Sequence, residues 1–285
     1  MTEHTQPFIT PQPWMIEAIQ KEVKEYLKKH DIKALIIGIS GGFDSGFNAA
    51  LLRPVCYDLQ IPLIGRYIHI VSNKPEEKER AIAIGKAFCN DFQEVDLDQL
   101  YFKAEHDVNF LEEPIKTETE FQKKIRLGNI KARLRMIYLY NLASMKKGIV
   151  VDNDNKSERQ LGFYTLHGDV GSITPLADFF KTEAYHLAEI YNTMLHSEEQ
   201  KKALQMVIDA VPTDGLGITS SDVEQFGVPS YYEVDKILAE IENGAYKVTD
   251  VCPFTHESGI KIWNRWKNSN FKRHYPYRVR IFDEL

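Results

Sequence analysis

The chain has 285 residues, of which 43% are hydrophobic and 27% charged, as is usual for a globular protein. Its formal net charge of −6 excludes the broad basic surface of a nucleic-acid-binding protein, although a small basic groove is compatible with this composition. Three widely separated cysteines without a CxxC pair fit a reducing compartment. We expect a cytoplasmic protein, because neither a secretory signal nor an apolar run of about 18 residues is found.

The spacing of apolar residues predicts alternating helices and strands. In chain order these are helix 14–30, strand 34–39, helix 47–59, strand 62–70, helix 74–89, strand 92–97, helix 117–147, strand 148–154 and helices 181–195 and 197–211. This alternation predicts an α/β fold with an open, mostly parallel sheet flanked by helices on both faces. We expect a single domain over residues 1–285, in which residues 1–13 form a flexible or docked tail.

A glycine-rich turn at 40–45, with the sequence S-G-G-F-D-S, follows the first predicted strand. Ligands of parallel sheets bind beyond the carboxyl ends of strands, and glycines there let backbone N–H groups approach an anion. The lysine of a Walker loop and the glycine spacing of a dinucleotide-binding loop are both missing. A phosphate site and a plain helix start capped by Asp44 or Ser45 both fit this stretch. With phosphate bound, Asp44 implies Mg²⁺, because a cation must lie between the two negative groups.

The predicted helix at 117–147 carries a second polar group. Asn129, Arg133 and Met136 are spaced by four and three residues and are predicted to share one face, whereas Lys131 and Arg135 are predicted to point elsewhere. A solvated basic helix face explains the same residues.

Three further polar positions follow. Glu158 comes after the predicted strand at 148–154 and is a candidate second metal carboxylate, although acids and amides also dominate plain turns. Lys181 lies near a helix start, where a nearby anion would explain a cation, and a solvated lysine is the alternative. Thr213 lies in a turn that contains proline and glycine.

The turn at 40–45 resembles the signature of the ATP-pyrophosphatase (PP-loop) superfamily, adenylating enzymes that cleave ATP between its α- and β-phosphates. The chain as a whole resembles the NAD⁺ synthetase family over about residues 14–277. The stretches that carry this resemblance, in order, are 40–45, 128–136, 153–158, 168–169, 181–182 and 212–213, with the basic sequence NFKRHYPY near the C-terminus.

The resemblance implies ATP-dependent amidation of deamido-NAD in two steps. The nicotinate carboxylate attacks the α-phosphate of ATP and pyrophosphate leaves, after which ammonia displaces AMP from the adenylate. It also implies a homodimer with deamido-NAD bound across the interface. Because only 33 residues precede the first predicted strand, the amidase domain of glutamine-using members is not expected, and free ammonia or a separate donor protein is implied.

The resemblance also assigns roles to residues. The implied ATP-binding residues are Ser40, Gly41, Gly42, Asp44, Ser45, Asn153, Lys181 and Thr213. Asp44 and Lys181 are the implied catalytic groups, and Asp44 and Glu158 are the implied Mg²⁺ ligands. The implied deamido-NAD contacts are Asn129, Arg133 and Asp169.

The sequence departs from the family pattern at several places. Asn153 stands where a threonine often contacts the nucleotide, the loop at 168–176 is short and lacks its second aspartate, and the segment after Thr213 is also short. Two alternatives therefore stay open: another PP-loop enzyme, such as a tRNA-modifying ligase or a thiolase, and a non-catalytic nucleotide-binding module. The acidic net charge and the lack of a cysteine pair disfavour the first, and the intact acids and lysine disfavour the second.

Overall fold

A four-stranded parallel sheet lies at the centre of the structure, a computed structural model that describes residues 9–71, 74–110, 116–213 and 215–279. The strands are β1 (Leu35–Gly38), β2 (Leu63–His69), β3 (Asp91–Asp96) and β4 (Ile149–Val150), and their order across the sheet is β3-β2-β1-β4. β1 pairs with β2 and β4, and β2 pairs with β3, all in parallel. The predicted α/β fold with an open parallel sheet is confirmed.

Helices flank this sheet. In chain order they are α1 (Pro13–Lys29), α2 (Phe43–Leu59), α3 (Pro75–Phe88), α4 (Asp98–Phe110), α5 (Glu120–Lys146), α6 (Lys156–Leu161), α7 (Lys181–Met194), α8 (Glu198–Ile208), α9 (Asp222–Phe226), α10 (Tyr231–Asn243), α11 (Glu257–Asn268) and α12 (Asn270–Arg273). The sequence did not predict α4, α6 and α9 to α12, partly because α6, α9 and α12 have six residues or fewer and cannot show a helical repeat. Within the described ranges, every helix is too short or too polar to cross a membrane.

Of the predicted tail, residues 1–8 lie outside the described ranges. The backbone N–H of Ile9 donates a hydrogen bond to Glu183 Oε1 at 2.8 Å, so the chain is docked against α7 just before α1 begins.

The prediction of a strand over 148–154 is wrong in its second half. β4 ends after two residues, and only an isolated bridge between Val151 and Ile173 follows. Beyond the bridge, a side chain takes the place of a neighbouring strand, because Asp152 Oδ1 accepts a hydrogen bond from the N–H of Asp154 at 2.9 Å. The chain therefore leaves the sheet here.

Both faces of the sheet are buried at β1, as the continuous apolar sequence of this strand predicts. Leu35 and Ile37 belong to a core shared with α1, α2, α3, α7 and α8, whereas Ile36 points to the opposite face, against α5. A third buried cluster contains Trp263 and holds α6, α9, α10 and α11 together. Because β1 and β4 are parallel neighbours, the turn after β1 and the polar segment after β4 leave the same edge of the sheet.

Gly41 has a left-handed backbone conformation that a side chain would disturb. Its φ is +82°, and a Cβ atom there would lie 2.0 Å from the carbonyl oxygen of Glu77. A left-handed residue with a side chain costs about 1–2 kcal/mol, and the clash with the backbone adds to this cost. We expect Gly41→Ala to lower the free energy of unfolding by more than about 2 kcal/mol in urea titrations.

Gly215→Ala is the matched control, since Gly215 also has a positive φ, of +61°, but none of the described residues has an atom within 4 Å of a Cβ there. Gly215→Ala should lower the free energy of unfolding only by the cost of the left-handed backbone, about 1–2 kcal/mol. Equal losses in the two variants would contradict the proposed clash.

Candidate active site

A cavity of about 400 Å³ lies beyond the carboxyl ends of β1 and β4, where the turn at 40–45 enters α2. Most residues selected from the sequence are in its walls. These are Ser40, Gly42, Asp44, Ser45, Asn129, Asn153, Glu158, Asp169, Lys181 and Thr213. Gly41 and Arg133 do not line the cavity. Segments that are far apart in the chain therefore meet at one cavity.

Serine hydroxyl groups hold the turn at 40–45 in shape. Ser45 Oγ accepts a hydrogen bond from the N–H of Ser40 at 3.2 Å and lies 3.0 Å from Ser40 Oγ. Ser40 Oγ also accepts from the N–H of Gly42 at 3.1 Å. Gly42 is the N-cap of the 17-residue helix α2, so the positive end of this helix dipole faces the cavity. Such a helix start favours an anionic ligand, although Asp44 projects from the same turn of the helix.

The ammonium group of Lys181 lies between the carboxylates of Asp44 and Glu158. Its Nζ donates to Asp44 Oδ2 at 2.5 Å and to Glu158 Oε1 at 2.9 Å, and the lysine side chain is only 3% exposed. Asn155 bridges the two acids, because its Nδ2 donates to Asp44 Oδ1 at 2.9 Å and its backbone N–H donates to Glu158 Oε2 at 3.2 Å. The structure thus brings the two acids selected from the sequence to one buried cation, while their joint role as metal ligands stays a prediction.

Burial and the charges of neighbouring side chains shift the pKa values of Glu158 and Lys181. Burial, and then the charge of Asp44, raises the pKa of Glu158 to about 8, although Lys181 opposes the shift. Burial alone would lower the pKa of Lys181, but the acids beside it outweigh burial and raise that pKa well above its usual value. Lys181 is therefore charged at neutral pH, as contact with a phosphate group requires.

Asn153 and Thr213 reach the cavity from separate segments. Asn153 Nδ2 donates to the carbonyl oxygen of Gly38 at 3.2 Å, and its Oδ1 accepts from Asn48 Nδ2 at 3.2 Å. These bonds tie the segment after β4 to the end of β1 and to α2. Thr213 Oγ1 donates to Glu77 Oε1 at 3.2 Å, which connects it to α3.

The cavity lining differs from the prediction for two arginines of α5. Asn129 and Met136 line the cavity, but Arg133 does not, and its Nε donates to a backbone carbonyl at 3.2 Å. Arg135, predicted to point elsewhere, does line the cavity. Each residue turns a helix by about 100°, so Arg133 lies about 40° to one side of Asn129, whereas Met136 and Arg135 lie to the other side. The spacing of Asn129, Arg133 and Met136 covers only about 60° of the helix, and the cavity lies toward the Met136 side of Asn129.

Thr165 links the remaining predicted substrate residues. Its hydroxyl donates to Asn129 Oδ1 at 2.7 Å, and its backbone N–H donates to Asp169 Oδ2 at 2.6 Å. Burial raises the pKa of Asp169, although the hydrogen bond from Thr165 opposes that shift. An amide and an acid are therefore held together at this wall of the cavity.

Sequence reasoning missed several cavity residues. Arg265 of α11 and Lys272 of α12 form part of the wall, and the basic C-terminal stretch was the only sequence signal for Lys272. Asn155, which does not line the cavity but bonds to Asp44 and Glu158, was missed too, although an asparagine three residues before Glu158 is a recognisable capping-box pattern. Asp154 also lines the cavity and follows no motif.

Asp235 of α10, another missed residue, holds the starts of α6 and α7. The Ser157 hydroxyl donates to its Oδ1, and the N–H and hydroxyl of Thr182 donate to its Oδ2 at 2.9 and 2.8 Å. Ser157 Oγ accepts in turn from the N–H of Lys181 at 2.8 Å. Because Ser157 precedes Glu158 in the chain and Thr182 follows Lys181, this buried carboxylate fixes the backbone that carries both charged side chains.

The buried Asp235 predicts a pH-dependent stability. Burial raises the pKa of Asp235 in the folded protein to about 6, above its unfolded value near 4. The stability that the protonated side chain contributes is therefore complete below about pH 4 and is lost as the pH rises through about 6. Between about pH 4 and pH 7, we expect the free energy of unfolding of the wild type to fall relative to that of Asp235→Asn by up to about 3 kcal/mol, because only the wild type has this carboxyl group.

Urea unfolding of both proteins across this range is the measurement. Glu240→Gln, on the exposed side of the same helix, is the control for removal of a charge. If the free energies of unfolding of the wild type and Asp235→Asn change with pH in parallel, the raised pKa of Asp235 would be contradicted.

The sequence and the fold were compared with those of known proteins. The sequence matches the NAD synthase family over residues 15–276. The NH3-dependent NAD⁺ synthetase of Finegoldia magna is 30% identical over 230 residues, which are 80% of this chain and 85% of that protein.

Two solved structures share the fold. NMN synthetase from Francisella tularensis superposes with a TM-score of 0.74 at 20% identity, covering 94% of this chain and 98% of that one. The NH3-dependent NAD synthetase from Campylobacter jejuni superposes with a TM-score of 0.69 at 20% identity, with the same coverage. Since the family match extends over most of the sequence and the curated relative covers four-fifths of it, the chain belongs to the NAD synthase family.

Proposed function

We propose that the protein amidates deamido-NAD to NAD⁺ with ammonia and ATP, releasing AMP and pyrophosphate through an adenylated carboxylate. Family membership supports this reaction. The observation that carries it is the Lys181 ammonium, buried between Asp44 and Glu158 at the end of the S-G-G-F-D-S turn. In this proposal the reaction takes place in the cytoplasm, in keeping with three cysteines that are all free thiols.

The turn at 40–45 and Lys181 are proposed to bind the phosphates of ATP. The start of α2 offers a helix dipole and glycine backbone, and Lys181 offers a desolvated positive charge. Thr213, with its hydroxyl on the cavity wall, is proposed as a further phosphate contact. These groups act by positioning and by charge, and removal of one such contact typically costs about 2–4 kcal/mol of transition-state stabilisation.

Asp44 and Glu158 are proposed to hold Mg²⁺ during the reaction. This ion usually takes one or two carboxylates together with phosphate oxygens, and these two acids already share one cationic partner. The donor set therefore fits, and these two carboxylates would hold the ion together with phosphate oxygens. When bound, the ion supplies charge neutralisation for the departing pyrophosphate.

Asn129 and Asp169 are proposed to contact deamido-NAD, because Thr165 joins them at a wall away from the turn. Arg133, which was assigned the same role from the sequence, lies outside the cavity lining. Arg135 takes its place in the proposal, since it lines the cavity from the same helix.

The reaction can be tested with purified protein, ATP, Mg²⁺, ammonium and deamido-NAD, by measuring NAD⁺ and AMP. We expect both products, and we expect Asp44→Asn and Lys181→Met each to lower the rate by about 100-fold or more, because each loses a charged contact at the phosphates. Asp58→Asn is the matched control, as this acid lies at the other end of α2 in an exposed pair with Lys24.

Other outcomes identify the alternatives. AMP without NAD⁺ would indicate another PP-loop adenylating enzyme, and ATP binding without turnover would indicate a non-catalytic module. An additional arm supplies the acid mononucleotide and measures NMN, because one structural neighbour is an NMN synthetase. Faster formation of NMN than of NAD⁺ would overturn the choice of substrate.

A homodimer through α5 is proposed as the functional assembly. Ile137, Tyr140 and Met145 of this helix are apolar and exposed. We expect sedimentation velocity to give the mass of two chains, and Ile137→Glu to give one, because a buried charge disfavours the interface. Tyr57→Glu, at an exposed site on α2, should leave the dimer intact. A monomeric wild type would contradict the proposal.

A further inference from the structure

The guanidinium group of Arg265, on α11, has no polar partner among the described residues. The side chain lines the cavity and its Nε atom is buried, yet the group forms neither a hydrogen bond nor an ion pair with a described residue. Nearly all buried polar groups have a partner, because an unsatisfied one is costly, above all when it carries a charge. The place of this group on the cavity wall suits an anionic ligand as the missing partner.

The other described cations of the cavity wall all bond to the protein. Lys181 donates to two carboxylates, and Lys272 donates to two backbone carbonyls. Arg66 forms an ion pair with an acid on β3, while Arg80 and Arg135 each donate to a backbone carbonyl. The arginine of α11 differs from all of them, because its N–H donors are left for a ligand.

Two aromatic rings hold this guanidinium in place. Its central carbon lies over the ring of Phe163, 5.1 Å from the centroid, and over that of Phe226 at 5.0 Å. Aromatic faces attract a planar guanidinium without giving its N–H groups an oxygen acceptor. Burial lowers the pKa of Arg265, so the charge here has a cost that a bound anion would offset.

The same rings connect Arg265 with the proposed phosphate site. The ring of Phe226 contacts that of Tyr231 edge to face, with centroids 5.8 Å apart, and the Tyr231 ring centroid lies 5.1 Å from Lys181 Nζ. Both cations therefore border one aromatic cluster. An anionic group bound at Arg265 would lie near phosphates bound at Lys181, as a reaction between the two groups requires.

The chemistry of this wall suits a carboxylate on a flat ring. A guanidinium matches a carboxylate in shape and charge, and Phe163, which also lines the cavity, offers an aromatic side chain beside it. Deamido-NAD carries such a group, its nicotinate, whereas NAD⁺ carries an uncharged amide in the same position. The phosphates are common to both molecules, so a contact with them would not separate the two.

We propose that Arg265 binds the nicotinate carboxylate of deamido-NAD and thereby distinguishes this substrate from the amide product. The inference rests on the proposed function. One carboxylate oxygen accepts a hydrogen bond from the guanidinium, and the other stays free to attack the α-phosphate of ATP. After amidation the group is neutral, the ion pair is lost and the product is held less tightly. Arg265 acts here in binding, and no covalent step is assigned to it.

The test compares the affinities of the acid and the amide for Arg265→Met by titration calorimetry. We expect the Kd for deamido-NAD to rise by about 10- to 100-fold, because a charged hydrogen bond is lost. The Kd for NAD⁺ should stay nearly unchanged, since its amide forms no ion pair. Lys261→Met is the matched control, because it removes an exposed cation of the same helix, and it should leave both values unchanged.

Two further measurements separate the possible outcomes. Arg265→Met should bind ATP as tightly as the wild type, which shows that the variant folds. Arg265→Lys keeps a charge between the rings but loses the planar fork, so it should weaken deamido-NAD alone and by less, and it serves as the test if the methionine variant does not fold. An unchanged Kd for deamido-NAD would overturn the assignment, as would equal losses for deamido-NAD and NAD⁺, which would indicate a contact with their shared phosphates. A wild type that binds deamido-NAD but forms no NAD⁺ in the assay above would refute the proposed function instead.

Discussion

The buried ammonium of Lys181 is the contact on which the rest of the cavity depends. It joins α7 to Asp44 on α2 and to Glu158 on α6, so three elements from distant parts of the chain meet at one charge. Removal of one partner of such a buried group leaves an uncompensated charge and typically costs about 3–5 kcal/mol. The position of the lysine is therefore fixed even though a buried ion pair adds little net stability. A ligand that supplies anionic oxygens competes with the two acids for a cation that is already desolvated.

Three helices begin at this cavity, and their starts explain its charge pattern. Gly42 and Asn155 are the N-caps of α2 and α6, and both helices carry an acid in their first turn that neutralises the positive end of the dipole. Lys181, by contrast, is the first residue of α7, where a cation opposes the helix dipole. The carboxylates of the other two helices compensate for this, and Asp235 holds the starts of α6 and α7 together. Phosphate oxygens would interact favourably with all three helix starts.

The features that were predicted from sequence have local causes. A continuous apolar run produces β1, and the glycines that follow allow the turn, since Gly41 needs a positive φ beside the backbone of Glu77. The features that were missed depend on distant contacts. Asp235 is one acid among many in the sequence, and only the packing of α10 brings it to Ser157 and Thr182. Arg133 lies outside the cavity lining although Asn129 lies within it, because helical spacing does not show which neighbouring face α5 turns to the cavity.

The acidic net charge of the chain does not decide what this cavity binds. At physiological ionic strength, charges on the surface are screened over about 8 Å, whereas charges inside a cavity are screened far less. The relevant balance is therefore local, between the basic wall of Arg135, Arg265 and Lys272 and the acids that include Asp154 and Asp169. A nucleotide would be attracted to the first group, whereas burial raises the pKa of Asp154 and Asp169 and so weakens their negative charge. The proposed reaction would bring ATP, a divalent ion and ammonium to this cavity, and it would therefore supply both kinds of charge to a protein whose net charge is −6.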